Sequence, residues 1–384
     1  MAVPPTYRAG GTSRRLFVGS ALAGAVAARA GAQQPTGNPA NPPPGLWQIA
    51  RDRGFGFGAA VQANLLATDK AYEEAFTREA GLLVPEFEGK WATLQPKEGE
   101  FDFRLLDAIV QWGQARGRPT RGHALVWHDS FPDWAVQALS QGPDRARAVM
   151  ATHITRVLTY YRPRIRDWDV ANEVIADPPG SDTPQATGEL RDSPFLRALG
   201  PSYIETAFRL AREQDPTLRL TLNEYGVEED TPWATEKRRR LLSLVRDLVN
   251  RRVPIDAVGI QAHLQMDRPF NPQVFGDFIR ALRSLGLSVL ITELDIREAT
   301  KVPDDYAARD RLVAERAAAF MGAAIEAGVK TFLTWGLVDR YSWLVSEPGV
   351  ARKDGKLHRG LPLDWEYNRK EMWRAMAQAF TSAG

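Results

Sequence analysis

The chain contains no cysteine in 384 residues, which excludes a disulfide framework, a thiolate metal site and a cysteine nucleophile. Histidine is almost as scarce. There are five, none in a His-x-His or His-Glu-x-x-His spacing, so a metal hydrolase built on His123, His128 and His263 lacks the usual ligand pattern. An excess of one charge sign is missing too. The formal charge of +2 rests on Arg8, Arg14, Arg15 and Arg29, and without that leader 45 basic residues face 47 acidic ones. That balance gives a nucleic-acid partner no electrostatic footing. No long apolar run is present either: the stretch from Leu16 to Ala28 is shorter than the ~20 residues a spanning helix needs. What remains is a chain 44% hydrophobic and 25% charged, enough to bury a large core.

The first 32 residues read as a targeting segment. Paired Arg14 and Arg15 precede the short apolar stretch, and Ala30-Gly31-Ala32 has the small-x-small form of a cleavage site, the pattern of a signal peptide of the twin-arginine type. Export to the periplasm or outside the cell is therefore expected, with no membrane association after cleavage. Residues 33–45, "QQPTGNPANPPPG", are proline-rich and polar, a linker with nothing to bury. Residues 46–384 form the expected catalytic domain.

From residue 54 onward, short apolar runs alternate with longer amphipathic stretches. The pattern predicts strands over Phe55–Val61, Gly81–Phe87, Pro119–Trp127, Ile165–Glu173, Arg219–Tyr225, Ala257–His263, Ser288–Ile296 and Lys330–Leu337. Between them lie helical patterns, among them Phe101–Arg116, Pro201–Gln214, Thr235–Arg252, Pro272–Leu285 and Tyr306–Ala327. The fold class is α/β, a (β/α)8 TIM barrel in a single domain. The basic run Lys237–Arg240 reads as the solvated outer face of a helix.

In such a barrel the strand ends form the active face, and here those ends are polar. "DWDVANE" closes on Asn172 and Glu173, and "VLITELD" carries Glu293 and Asp295. Glu86, His123 with Trp127, Asn223, Gln261 with His263, and Trp335 close other strands. Two glutamates facing one another across the mouth are the equipment of a glycoside hydrolase. Asn172 is placed to bond a sugar 2-hydroxyl. His263 is placed to hold the attacking carboxylate, with Asp295 fixing the histidine's tautomer. Trp127, Trp335 and Trp343 offer flat faces for sugar rings.

The pieces "KW" from Lys90 with "GEFDF" from Gly99, "GHALVWH" from Gly122, "WDVANE" from Trp168 and "NEY" from Asn223 come in order along the chain. They continue as "VGIQAHL" from Val258, "ITELDI" from Ile291, "TWGLVDRYSWL" from Thr334 and "PLDWEYNRK" from Pro362. Together they resemble glycoside hydrolase family 10, the retaining endo-xylanases. The resemblance implies Glu173 as acid/base and Glu293 as nucleophile. It also implies sugar-contacting or supporting places for Glu86, Lys90, His123, Trp127, Asn172, Gln261, His263, Trp335 and Trp343. The expected partner is xylan or its oligosaccharides, the expected state a monomer, and no cofactor or metal is called for. Two positions depart from the family's pattern: Phe87 stands where an asparagine is usual, with Gly89 in place of a methionine, and Ser130 where a glutamine is usual. Both altered polar contacts belong to the sugar two places from the cut on the non-reducing side. Glu224-Tyr225-Gly226 stands for the family's Asp-Tyr-Asn. Hydrolysis of another β-linked glycan, or carbohydrate binding without catalysis, are the rival readings.

Overall fold

The computed structural model describes residues 43–383 apart from 186 and 187. The expected leader and residues 33–42 of the proline-rich stretch lie outside the described residues. Gly45 is buried as the N-cap of the helix Leu46–Arg51, and the Pro44 carbonyl accepts from Arg369.

Ten strands occur among the described residues: β1 (Gly56–Val61), β2 (Leu83–Pro85), β3 (Thr120–Gly122), β4 (Val126–Trp127), β5 (Ile165–Asn172), β6 (Arg219–Glu224), β7 (Ala257–Ile260), β8 (His263–Gln265), β9 (Ser288–Arg297) and β10 (Thr331–Thr334). Eight of them run β10-β1-β2-β3-β5-β6-β7-β9, and β9 pairs again with β10, which closes a parallel barrel. Closure leaves the barrel no open edge. Helices cover the outside, so the strands are buried on both faces and read apolar, as in β9, where eight consecutive residues are buried.

Two expected strands are each split in two. The third breaks after Gly122 and resumes as β4, which pairs with β5. The sixth breaks at Ala262, whose φ is 64°, and resumes as β8 beside β9, with His263 opposite Asp295 and Gln265 opposite Arg297. These short strands extend the wall at the mouth. Gly122 is needed where it stands, since a Cβ there would lie 2.1 Å from the Trp168 ring.

Three of the long helices start from side-chain caps: Thr231 for Pro232–Asn250, Asn271 for Pro272–Arg283 and Asp305 for Tyr306–Glu326. The first begins three residues before its apolar pattern, because a Thr-Pro step supplies both the cap and the first helical residue. The solvated reading of Lys237–Arg240 is overturned. Lys237 is fully buried and Arg238 is 6% exposed, leaving only Arg239 of the four in the exposed class. Helical spacing aligns Lys237 and Arg238 with Ala234 and Leu241 on the inner face. There the Lys237 Nζ lies 2.7 Å from Asp177 and 3.2 Å from Glu224. Buried acids at the strand ends require that cation.

Candidate active site

The polar strand ends converge at one mouth. Asn223, at the penultimate position of β6, ties it together. Its Nδ2 donates to Glu293 Oε1 at 2.8 Å and to Asn172 Oδ1 at 2.9 Å, while its Oδ1 accepts from Thr292 Oγ1 at 2.7 Å. The amide fits because β7 has Gly259 there; a Cβ at that position would stand 2.2 Å from the Asn223 oxygen. Glu293 Oε2 lies 3.1 Å from His263 Nε2, and His263 Nδ1 lies 3.0 Å from Asp295 Oδ1. Trp343 Nε1 donates to the other Asp295 oxygen.

Burial pulls the His263 imidazole down, but Asp295 and Glu293 outweigh it and push the group up to about 10. The ring therefore carries a proton on each nitrogen at neutral pH and donates to both carboxylates. Asp295 holds the ring from behind at Nδ1 and, with Glu293, favours its charged form. Glu293 is left with a donor on each oxygen, an arrangement that suits a carboxylate aimed at an electrophile.

Glu173 sits differently. Its backbone is left-handed, with φ 57°, a conformation that a non-glycine residue holds only when its surroundings over-determine it. Its N–H donates to the Asn223 carbonyl at 2.9 Å, and its own carbonyl accepts from Arg191 Nε at 2.8 Å. On the side chain, Oε1 accepts from Gln261 Nε2 at 3.1 Å, and Oε2 lies 3.7 Å from His128 Nδ1. Burial raises the Glu173 carboxyl, and the charges of His128 and Arg191 with hydrogen bonds from Trp127 and Gln261 bring it below its ordinary value. Burial also drives His128 down to about 4.

Behind Glu173 lies a buried network that the sequence did not announce. Arg191 donates to the Tyr225 oxygen at 2.6 Å, Tyr225 donates to Asp177 at 2.6 Å, and Lys237 completes the cluster. Burial raises the Asp177 carboxyl, but Lys237 and Arg191 hold it well below the usual carboxylate range. Asp169 likewise fixes His123, at 2.9 Å from Nδ1, and pairs with the buried Arg121. Alternation inside "WDVANE" hinted at Asp169, but nothing local marked Arg121, Asp177 or Arg191, whose partners are distant in sequence.

The family model for "Glycosyl hydrolase family 10" matches residues 45–379. The chain belongs to glycosyl hydrolase family 10. Among its relatives, "Endo-1,4-beta-xylanase 1" of Humicola insolens is 31% identical over 326 residues, which is 84% of this chain and 70% of that protein. "Beta-1,4-xylanase" of Dictyoglomus thermophilum is 33% identical over 326 residues, 81% of this chain and 85% of that one. Xylanase 10B of Thermotoga petrophila RKU-1, crystallised with xylobiose, superposes with a TM-score of 0.79 at 27% identity, covering 89% of this chain and 98% of that one.

The other residues that the family 10 resemblance pointed to lie around the same mouth. Glu86, at the end of β2, accepts from Gln62 Nε2 at 2.9 Å, and burial pushes it up to about 7. Lys90 is ringed by aromatics, its Nζ 5.0 Å from the Trp127 ring centroid, 5.1 Å from Phe87 and 6.0 Å from Trp335. Phe87 itself is 44% exposed and presents its ring to this lysine rather than packing inward. Ser130 has a left-handed backbone, φ 58°, and its carbonyl accepts from Ala92. Among the described residues the buried Asn172 Nδ2 has no hydrogen-bond partner, while Trp127 Nε1 and His128 Nδ1 both face Glu173. An unsatisfied donor beside a carboxylate pair is what a hydroxyl-rich ligand satisfies.

Proposed function

We propose that this chain hydrolyses internal β-1,4-xylosidic bonds of xylan with retention of configuration, Glu293 attacking and Glu173 acting as acid and then base. The observation that carries the assignment is the unequal setting of two glutamates in a family 10 barrel. Glu293 is gripped on both oxygens by an imidazolium and an amide, while Glu173 meets the Gln261 amide, the Trp127 indole and a neutral histidine in a buried pocket. Two glutamates at one mouth, one held on both oxygens and the other open to a leaving group, suit the division between nucleophile and acid.

In the first step a Glu293 oxygen bonds to the anomeric carbon as the bond from that carbon to the bridging oxygen breaks, and Glu173 gives that oxygen its proton. Water then attacks the same carbon, Glu173 takes the water's proton, and the Glu293 ester bond is released. Asn172, held through its oxygen by Asn223 and Gln261, keeps its N–H free for the 2-hydroxyl, where such bonds strengthen in the transition state. Glu86, Lys90, His123, Trp127, Gln261, His263, Trp335 and Trp343 serve as sugar-contacting or supporting groups.

Reducing-sugar release from xylan, mixed-linkage glucan, mannan and carboxymethyl cellulose tests the reading. Xylan is expected to be the preferred substrate; faster release from a glucan or from mannan contradicts it. We further propose that the chain acts as an exported monomer sent through the twin-arginine route, on the strength of Arg14-Arg15 and the short apolar stretch after them.

A further inference from the structure

At the pole of the barrel away from the mouth, where the strands begin, lies an open cavity of about 800 Å³. It sits under six neighbouring strands, β10, β1, β2, β3, β5 and β6. The first residues of four of them, Gly56, Thr120, Arg219 and Thr331, stand in its wall. Paired strands hold that wall, so the cavity is preformed, as ligand sites usually are.

Its lining is strongly basic: five arginines stand against one carboxylate, Asp167. That carboxylate is already committed, since it accepts from Arg219 Nε at 2.9 Å and lies 3.3 Å from the buried Arg121. Arg164 has Asp107 at 2.9 Å, and Arg51 has its exposed neighbour Asp52 at 2.8 Å. Arg166 reaches the Pro163 carbonyl at 3.4 Å, and its charge acts on Asp215, which also lies 3.5 Å from Arg162.

Arg118 is the exception, because no carboxylate pairs with it among the described residues. Its guanidinium lies 3.5 Å from the centroid of the Trp47 ring, and that of Arg51 lies 4.9 Å from the same centroid. Its Nε is buried without a hydrogen-bond partner. Burial and the charge of Arg51 draw the Arg118 group down from its ordinary value, as happens when two cations are held near one another. Stacking on the indole offsets part of that cost. It gives the N–H donors no acceptor, and a guanidinium drawn out of water without one is costly unless a ligand supplies it.

Two guanidiniums gathered round one ring call for more than one negative charge and for oxygens on several sides. A phosphate group meets both demands, with about 1.5 to 2 charges near neutral pH and three strong acceptor oxygens. An arginine fork engages two such oxygens at once. A carboxylate, with a single charge, leaves the second guanidinium without its counterpart.

We propose that this cavity binds a phosphate-type oxyanion, free or as the head of a small phosphomonoester, between Arg118 and Arg51, with Arg166 and Arg219 adding to the field. The site is independent of the xylan reading, since it lies at the strand ends remote from Glu173 and Glu293. Occupancy stabilises the folded barrel by mass action.

The test follows Tm of the whole protein in sodium phosphate against sodium chloride and sodium acetate at the same pH and ionic strength. With a dissociation constant of about 1 mM, about 50 mM phosphate is expected to raise Tm by about 3 °C. Phosphate also stabilises folded chains in general, through exclusion from their surfaces, and variants share that effect. The measure is therefore the difference between the wild-type shift and each variant's shift from its own Tm in chloride. Arg118→Gln and, separately, Arg51→Gln are expected to lose most of the specific shift, and Arg118→Lys to keep part of it. Titration calorimetry of the wild type with inorganic phosphate and with glucose 6-phosphate, against glucose as control, distinguishes the sources. Tighter binding of the ester assigns the remaining space to its organic part, and equal binding assigns the site to the free ion. An equal phosphate shift in wild type and Arg118→Gln overturns the proposal. So does a shift of the same size in acetate, or the absence of saturable heat with both phosphates.

Discussion

At the scale of single residues, chemistry rests on the different company kept by two glutamates. Glu293→Ala is expected to lose nearly all activity on every substrate. Glu173→Ala is expected to spare turnover of an aryl xyloside whose leaving group needs no proton; equal loss in both mutants on that substrate contradicts the assignment. His263 donates a charged hydrogen bond to Glu293, a type worth about 1.5–3 kcal/mol. His263→Ala is accordingly expected to lower kcat by about 10- to 150-fold, and kcat measured against pH checks the cause. On an aryl xyloside, whose departure needs no proton from Glu173, the wild-type alkaline limb is expected near pH 10, where the imidazolium discharges, and an unchanged limb in the mutant excludes this role for His263.

Among the elements, the helix Pro232–Asn250 and the loop after β2 carry the most information. Lys237 neutralises Asp177 and Glu224 from the inner face of that helix. Lys237→Met leaves both acids without it, and removing one partner of a buried pair costs about 3–5 kcal/mol. Spread over ~340 folded residues at about 2.1 cal/mol/K each, that is a fall of about 4–7 °C in Tm. Calorimetry showing no fall contradicts a neutralising role. Phe87, in the loop after β2, offers a ring where the family resemblance implies a hydrogen bond, and Ser130, in the loop after β4, is shorter than the glutamine that the resemblance implies. Two missing bonds at about 1 kcal/mol each amount to roughly 30-fold in kcat/KM. Phe87→Asn with Ser130→Gln is expected to raise kcat/KM on xylotriose towards that figure while barely changing an aryl xyloside. An equal gain on both substrates assigns Phe87 to a reshaped pocket instead.

For the whole molecule, the buried titratable groups set a window of stability. Burial raises Glu298, but His358 and Arg309 outweigh it and bring the group down to about 2. Its contribution is present above its unfolded value near 4.5 and is lost as pH falls towards 2. His263, pushed up to about 10, contributes fully below its unfolded value near 6.5, and that contribution fades as pH rises to 10. Glu86 and Glu229, both raised by burial to about 7, favour the folded state most below pH ~4.5 and progressively less up to 7. Tm is therefore expected to peak at mildly acidic pH, about 4.5–6.5, and to fall on either side. A Tm still climbing at pH 8 contradicts the balance. The proposed export is tested on the whole chain: Arg14→Lys with Arg15→Lys is expected to strand the protein in the cytoplasm, and unaffected secretion points to the general route.

The sequence by itself determined the barrel, because βα alternation and polar strand ends are local patterns that burial on both faces of a parallel strand imposes. It also singled out Glu173, Glu293, His263 and Asp295, which follow apolar runs on the strands, and the structure brings those four side chains to one mouth. Tertiary structure alone decided what those residues meet. Asn223 joins Glu293 to Asn172 across 70 and 51 residues of chain. Arg191 and Lys237 brace the wall behind Glu173, and Lys237 is buried where its run of charge suggested a wet surface. The same holds for His263, whose doubly protonated state depends on two carboxylates reached only through closure of the ring. Periodicity records which face of an element is buried, whereas the identity of a partner, and hence the charge a buried group can hold, is fixed only when distant elements pack together.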